Sequence, residues 1–226
     1  MLNLIHNNRF FFYPYAILLI LGGIIQYQFR PTDIMIWVNG HTYRFLDPFF
    51  LFLTDIGDGL AFGILIFVLL WINVGKAIQA SIIFATSSIT SQILKNFIFP
   101  HSPRPFTVLK ENGFPPFQIK LIPGVQILMQ HSFPSGHSLT GFSLALLLAF
   151  WINEKKYGFI CLWLGLGIAY SRVYLFEHFL WDIYVGSLLG VLITLVLYYY
   201  LSKANWLSAK WAKKRIIPNP FAGKQI

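Results

Sequence analysis

Six apolar runs recur along this chain, each at or just short of the length that crosses a hydrocarbon core, and they leave few architectures open to it. They cover Phe10 to Tyr27, Gly59 to Val74, Ala77 to Leu94, His137 to Ile152, Tyr157 to Tyr170 and Asp182 to Leu201. In hydrocarbon, every backbone N–H and C=O must find its partner within the protein, so runs like these are read as helices. Charged residues make up only 11% of the chain, against roughly 25% in a soluble domain. The expectation is an all-α integral membrane bundle of six transmembrane helices, folded as a single domain over residues 1–226.

The remaining segments follow from their flanks. The first run has no small-residue cleavage site behind it, since Gln26, Tyr27, Gln28, Phe29 and Arg30 come next, and it is read as a retained span. Pro31 to Asp58 mixes aromatics with Asp33, Arg44, Asp47 and Asp55, which suits an interfacial segment. The third run holds Ser81, Thr86, Ser87, Ser88, Thr90, Ser91 and Gln92, small polar residues of the kind that pack against neighbouring helices. Lys95 to Phe133 is a proline-bearing connection of a length that is more often functional than idle.

Six crossings put both termini on one side. That side receives Arg9, Lys76, Lys155, Lys156 and the tail residues Lys203, Lys210, Lys213, Lys214, Arg215 and Lys224, ten cations against seven on the other. The positive-inside rule places the termini, and the basic tail over residues 202–226, in the cytoplasm. The net charge of +9 reflects these loops and a possible attraction to anionic lipid. Nucleic acid is not an expected partner, because the basic residues are not on a soluble module. Cys161, the single cysteine, cannot form an internal disulfide.

This topology brings three groups of reactive residues to the non-cytoplasmic face. One is Lys95 with Arg104-Pro105, the second is Phe133-Pro134-Ser135-Gly136-His137, and the third runs from Ser171-Arg172 to His178 and Asp182. Lys95, Arg104 and Arg172 supply three cations, enough to balance a phosphate and the charge that spreads over its oxygens in a transition state. Ser135-Gly136 opens a helix whose bare N–H groups attract an anion, with the Ser135 hydroxyl as a further donor and Gly136 permitting close approach. His137, at that helix start, is placed to protonate a leaving oxygen. His178 and Asp182, four apart, would stack on one helix face, with the carboxylate orienting the imidazole as a nucleophile.

Taken singly, each group also has a structural reading. Pro-Ser-Gly-His is a common turn into a helix, Lys95 and Arg104 are positioned to snorkel, and a His-Asp pair can cap a helix. Asp55 and Asp58 form a pair that could hold a cation or position a headgroup, but the expected reading is that Asp58 or Thr54 caps the second run. His101 and His131 are expected to be peripheral. A serine nucleophile is disfavoured, since no Gly-x-Ser-x-Gly elbow is present.

Taken together, the three groups resemble the signature of the type 2 phosphatidic acid phosphatase (PAP2) superfamily. The second and third motifs match fully. The first has eight residues between Lys95 and Arg104 where the family usually has six, an excess that Pro100 and Pro103 would absorb as a bulge. The resemblance runs from Lys95 to Asp182 and extends to nearly the whole chain through the six-span membrane branch. It implies a metal-independent lipid phosphatase with no cofactor, in the plasma membrane of a bacterium, its site facing outward. His178 would attack phosphorus to form a phosphohistidine, with Asp182 orienting it. His137 would protonate the leaving group and then activate water. Lys95, Arg104, Ser135, Gly136, His137 and Arg172 would hold the phosphate. The substrate would be a lipid phosphomonoester or diphosphate, with phosphatidylglycerophosphate, undecaprenyl diphosphate, phosphatidic acid and lipid A phosphates all open. A phosphotransferase using the same site is an alternative. A silent scaffold or transporter is another, although the paired broken helices of a transporter are not evident. Oligomeric state is not readable from the sequence.

Overall fold

The computed structural model describes residues 1–205 together with Ala212. Lys210, Lys213, Lys214, Arg215 and Lys224 of the basic tail lie outside the described residues. Ten α-helices are formed by the described residues: α1 (Leu2–Asn7), α2 (Arg9–Gln28), α3 (Pro31–Gly40), α4 (Asp47–Gly57), α5 (Leu60–Ile72), α6 (Val74–Ile93), α7 (Pro105–Glu111), α8 (Gly136–Trp151), α9 (Gly158–Tyr174) and α10 (Leu180–Ser202). Among the described residues there is no strand.

Each of the six apolar runs is a helix. Among the described residues three helices, Arg9–Gln28, Val74–Ile98 and Leu180–Ser202, are long and apolar enough to cross a membrane, and α4 with α5 makes a fourth candidate if the pair, bent by 55°, counts as one span. At 16 residues α8 falls short of that length. It lies at the centre of the bundle, packed between α9 and α10, and is buried on nearly every side. A helix that is apolar all round is one that other helices surround.

Close packing at this centre depends on two glycines of α10. A methyl group on Gly190 would lie 2.4 Å from the Leu139 carbonyl oxygen, and one on Gly186 would lie 2.7 Å from that of Ser135. Their small-xxx-small spacing lets the two backbones touch. The serine-rich α6 packs on both α8 and α10, and Ser87 shares a buried hydrogen bond of 2.9 Å with Ser143, whose hydroxyl also reaches the Gly190 carbonyl at 3.3 Å.

The segment expected to lie at the interface is more integral than its composition indicates. Leu53, Thr54 and Gly57 of α4 are buried, and α4 packs on α9. Its acidic residues mask this because Asp47 is engaged by the Tyr174 hydroxyl at 2.8 Å while Asp55 faces out. The helix break at Asp58-Gly59 is left-handed at Gly59, with φ +88°, and a side chain there would meet Phe84 at 2.9 Å. Neither Thr54 nor Asp58 caps α5, whose N-cap is Gly59 with no side-chain bond. The expected capping role is corrected accordingly.

Candidate active site

The ends of α6, α8, α9 and α4 and the turn before α10 converge on one pocket, and each contributes for a local reason. Beyond α6 the helix continues as a π-helical turn, Leu94–Ile98, carrying Lys95. A π turn inserts residues into a helix, and so takes up part of the longer Lys95-to-Arg104 spacing that a proline bulge was expected to absorb. The ammonium of Lys95 then reaches within 3.8 Å of where a Cβ on Gly136 would stand.

Ser135 is the N-cap of α8, accepting from the Ser138 N–H at 3.4 Å, and its own N–H donates to the Asp182 carbonyl at 3.1 Å. Among the described residues, the N–H groups of Gly136 and His137 have no protein acceptor. They are the orphan donors of a helix start. Gly136 is packed against Ser91, whose hydroxyl would sit 3.0 Å from an added Cβ.

The end of α9 shapes the third motif. Phe176 adopts a left-handed conformation, φ +64°, in a Schellman turn: the Glu177 N–H returns to the Arg172 carbonyl at 2.9 Å and the Phe176 N–H to Val173 at 3.1 Å. His178 therefore sits in the turn, not on a helix, with its N–H also on the Arg172 carbonyl at 3.2 Å. The expectation that His178 and Asp182 stack on one helix face is corrected. Asp182 instead occupies the first turn of α10 and reaches back. Its Oδ2 accepts from the Phe179 N–H at 2.8 Å and from the Ser132 hydroxyl at 2.5 Å, and lies 3.4 Å from His178 Nδ1. Ser132 Oγ is itself 3.4 Å from that same nitrogen. Both contacts hold Nδ1 and leave Nε2 free.

Glu177 is one of the residues that motif reading passed over. It is 4% exposed and forms an ion pair with Arg104 and, at 3.4 Å, with Arg172. Arg104 donates further to the Glu177 backbone carbonyl at 3.2 Å and, through Nε, to the Gln130 carbonyl at 3.0 Å. Arg172 also donates to the hydroxyl of Thr54, but among the described residues its buried Nε has no partner. A buried guanidinium N–H left open beside orphan helix N–H groups is a seat for an anion. Burial pushes the Glu177 carboxyl up, an effect opposed by the charges of Arg172, Arg104 and Lys95. Burial pushes His178 well below its ordinary value, and Arg104, Arg172 and Lys95 drive it the same way.

The two histidines share the pocket, for the charges of Arg172, His178, Lys95 and Arg104 all act on His137. Every residue singled out from the three motifs is thus brought together. His101 lies apart and exposed, and His131 bonds the Lys95 carbonyl at 3.2 Å from the pocket's edge. Among the described residues no group of three or more His, Cys, Asp or Glu is arranged to hold a metal. Glu177, Ser132, Thr54 and Asp58 were not anticipated as site members. One signal for Glu177 was available: it is one of only eight acidic residues, set between an arginine and a histidine.

Comparison with known proteins gives the family and the fold. The bacitracin transport permease protein BcrC of Bacillus licheniformis is 27% identical over 192 residues, covering 80% of this chain and 86% of its own length. Dolichyldiphosphatase 1 of Dictyostelium discoideum is 25% identical over 170 residues, or 69% of this chain and 66% of that protein. The crystal structure of Aquifex aeolicus LpxE superposes with a TM-score of 0.62 at 25% identity, covering 74% of this chain and 94% of LpxE. A PAP2 type phosphatidylglycerolphosphate phosphatase from Bacillus subtilis shares the fold, with a TM-score of 0.60 at 22% identity over 84% of this chain and 94% of its own. The sequence description of the PAP2 superfamily itself matches residues 76–206, from the start of α6 past the end of α10. With more than half of its length matched, and all three motifs gathered at one pocket of a helical membrane protein, the chain belongs to the PAP2 superfamily.

Proposed function

We propose that this protein is a lipid phosphatase that releases phosphate from a lipid phosphomonoester or diphosphate, without a metal, through a phosphohistidine on His178. The observation that carries this reading is the convergence of Lys95, Arg104 and Arg172 with the open N-terminus of α8 and two histidines. Three cations and the Gly136 and His137 N–H groups, with the Ser135 hydroxyl, bind the phosphoryl oxygens. His178 Nε2 attacks phosphorus and the bond to the lipid oxygen breaks, with His137 giving that oxygen a proton. Asp182 and Ser132 keep Nδ1 engaged throughout. Water, losing its proton to His137, then attacks the phosphohistidine; the P–N bond breaks and free phosphate leaves.

A lipid substrate is supported by an apolar cavity of about 820 Å³ among α2, α4, α9 and α10. Leu53 borders it next to Thr54, and Leu180 and Ile183 border it on either side of Asp182, so it adjoins the pocket. Ile25, Ile160 and Trp163 line it and face outward, as an entrance from the bilayer would require. The name of the Dictyostelium relative points to a long-chain lipid diphosphate as one substrate to include. In this reading α2, α4–α5, α6, α8, α9 and α10 are six crossings in one domain. The termini lie in the cytoplasm and the site faces outward across a bacterial plasma membrane.

The test is phosphate release by purified protein in detergent from phosphatidic acid, phosphatidylglycerophosphate, undecaprenyl diphosphate and lipid A, with wild type beside His178→Ala. Turnover of one of these lipids that survives chelators, yields to vanadate and is lost in His178→Ala is the expected result. Full turnover by His178→Ala, or its abolition by chelators, overturns the reading.

A further inference from the structure

Four groups that are cations or become cations face His137: Arg172 from α9, Lys95 beyond α6, Arg104 from the loop and His178 from the turn before α10. A counter-charge is needed, and neither Glu177, occupied with two arginines, nor Asp182, occupied with His178 and Ser132, is paired with His137. Among the described residues the carboxylate in ion-pairing reach is Asp58, whose Oδ1 lies 3.4 Å from His137 Nε2.

Asp58 is held there by the backbone. The carbonyl of Gly57 accepts from Thr140 Oγ1 at 2.7 Å, one turn along α8 from His137. Gly57 itself abuts the histidine, since a Cβ on it would stand 3.3 Å from His137 Cβ and Cδ2 and 2.5 Å from Ile168. The bend of the α4–α5 pair then turns the chain away at Gly59, leaving the Asp58 side chain 75% exposed at the mouth of the pocket. Asp58 is not a helix cap, and neighbouring Asp55 faces out. The same helix end places Thr54 on Arg172.

We propose that Asp58 is a positioning residue for His137, holding its ring and supplying the negative charge that lets it carry a proton among cations. The inference rests on the role given to His137 in the proposed reaction. Each of the two histidines then has its own carboxylate: Asp182 on the buried side for the nucleophile, Asp58 on the water side for the proton carrier.

Asp58→Asn keeps the shape and removes the charge. Its kcat falls about tenfold with KM little changed, and the alkaline limb of its kcat profile moves to lower pH by about one unit. Asp58→Glu restores much of both. A substrate-free measurement separates this inference from the reading beneath it: 13C-histidine NMR in detergent, with His137 identified by the signal lost in His137→Ala. The titration midpoint of His137 is expected to drop in Asp58→Asn. An unchanged midpoint, or a pH profile superimposable on wild type, overturns the role of Asp58 whatever the activity. Conversely, turnover surviving in both His137→Ala and His178→Ala removes the proposed reaction itself.

Discussion

Arg104 and Glu177 stand 73 positions apart in the chain and meet as a buried ion pair, with the Arg104 guanidinium also donating to the Glu177 backbone carbonyl. Both side chains are within a few per cent of full burial, and Arg172 reaches the same carboxylate oxygen at 3.4 Å. Breaking a buried pair by deleting one partner leaves uncompensated charge and costs about 3–5 kcal/mol. Glu177→Ala strands two guanidinium groups at once and is expected at the upper end. For a chain of this size, that loss lowers the melting temperature in detergent by roughly 10 °C or more. Glu177→Gln, which keeps the shape and some hydrogen bonds, loses less. A melting temperature for Glu177→Ala equal to wild type contradicts a structural role for the pair.

His178 predicts a pH dependence whose sign follows from its burial. It is 1% exposed and held well below its ordinary value by burial and by three nearby cations. The unfolded chain therefore binds a proton at about pH 6.5 that the folded protein refuses. Below that pH the unfolded state carries more protons, so stability falls as pH falls. In unfolding scans from about pH 7 to 5, wild type loses stability more steeply than His178→Ala, which lacks the group. The neutral imidazole also remains a nucleophile below its usual range, so turnover has no acid limb at the value of an ordinary histidine. Parallel stability curves for the two proteins contradict the assignment.

Ser132 lies between the members of the His-Asp pair, 2.5 Å from Asp182 and 3.4 Å from His178 Nδ1. With His178 and Asp182 separated by 3.4 Å, the carboxylate relies on Ser132 and the Phe179 N–H to fix its direction. Ser132→Ala removes one of these and costs about 1 kcal/mol in stability. Its kcat is expected to fall about tenfold, with substrate affinity retained, because the ring loses orientation rather than charge. Steady-state kinetics beside a melting curve distinguishes this from general damage.

Much of this site was legible because motif residues announce themselves by type and spacing, and hydropathy alone brings Lys95, His137 and His178 to one face. Glu177 was hidden for the opposite reason. It fills a spacer position between Arg172 and His178, and its role depends on Arg104, which arrives through a long loop. The turn that lifts His178 off the helix was hidden too, since Phe176 occupies a left-handed position where a glycine would have marked the stop. The α4 helix was misjudged by composition. Asp47 is taken up by the Tyr174 hydroxyl of α9 while Asp55 faces out, and only contact with α9 and α8 reveals that Thr54 and Asp58 belong to the pocket.

Lys95 carries the last prediction because its motif has the irregular spacing. The π-helical turn from Leu94 to Ile98 brings its ammonium to the start of α8, beside Gly136 and Ser91. At that position it adds a charge where the helix N–H groups supply partial ones, and among the described residues it is the cation of the three that is not paired with Glu177 or Thr54. Removing a single stabilising group of this kind costs about 10²–10³ in rate, so Lys95→Ala is expected to lose that much in kcat/KM and to bind vanadate more weakly. Lys95→Arg is not expected to restore it, because a planar fork does not occupy the place of a compact ammonium against Gly136. Near-normal turnover by Lys95→Ala contradicts a phosphate-binding role for this residue and leaves Arg104 and Arg172 as the cations of the site.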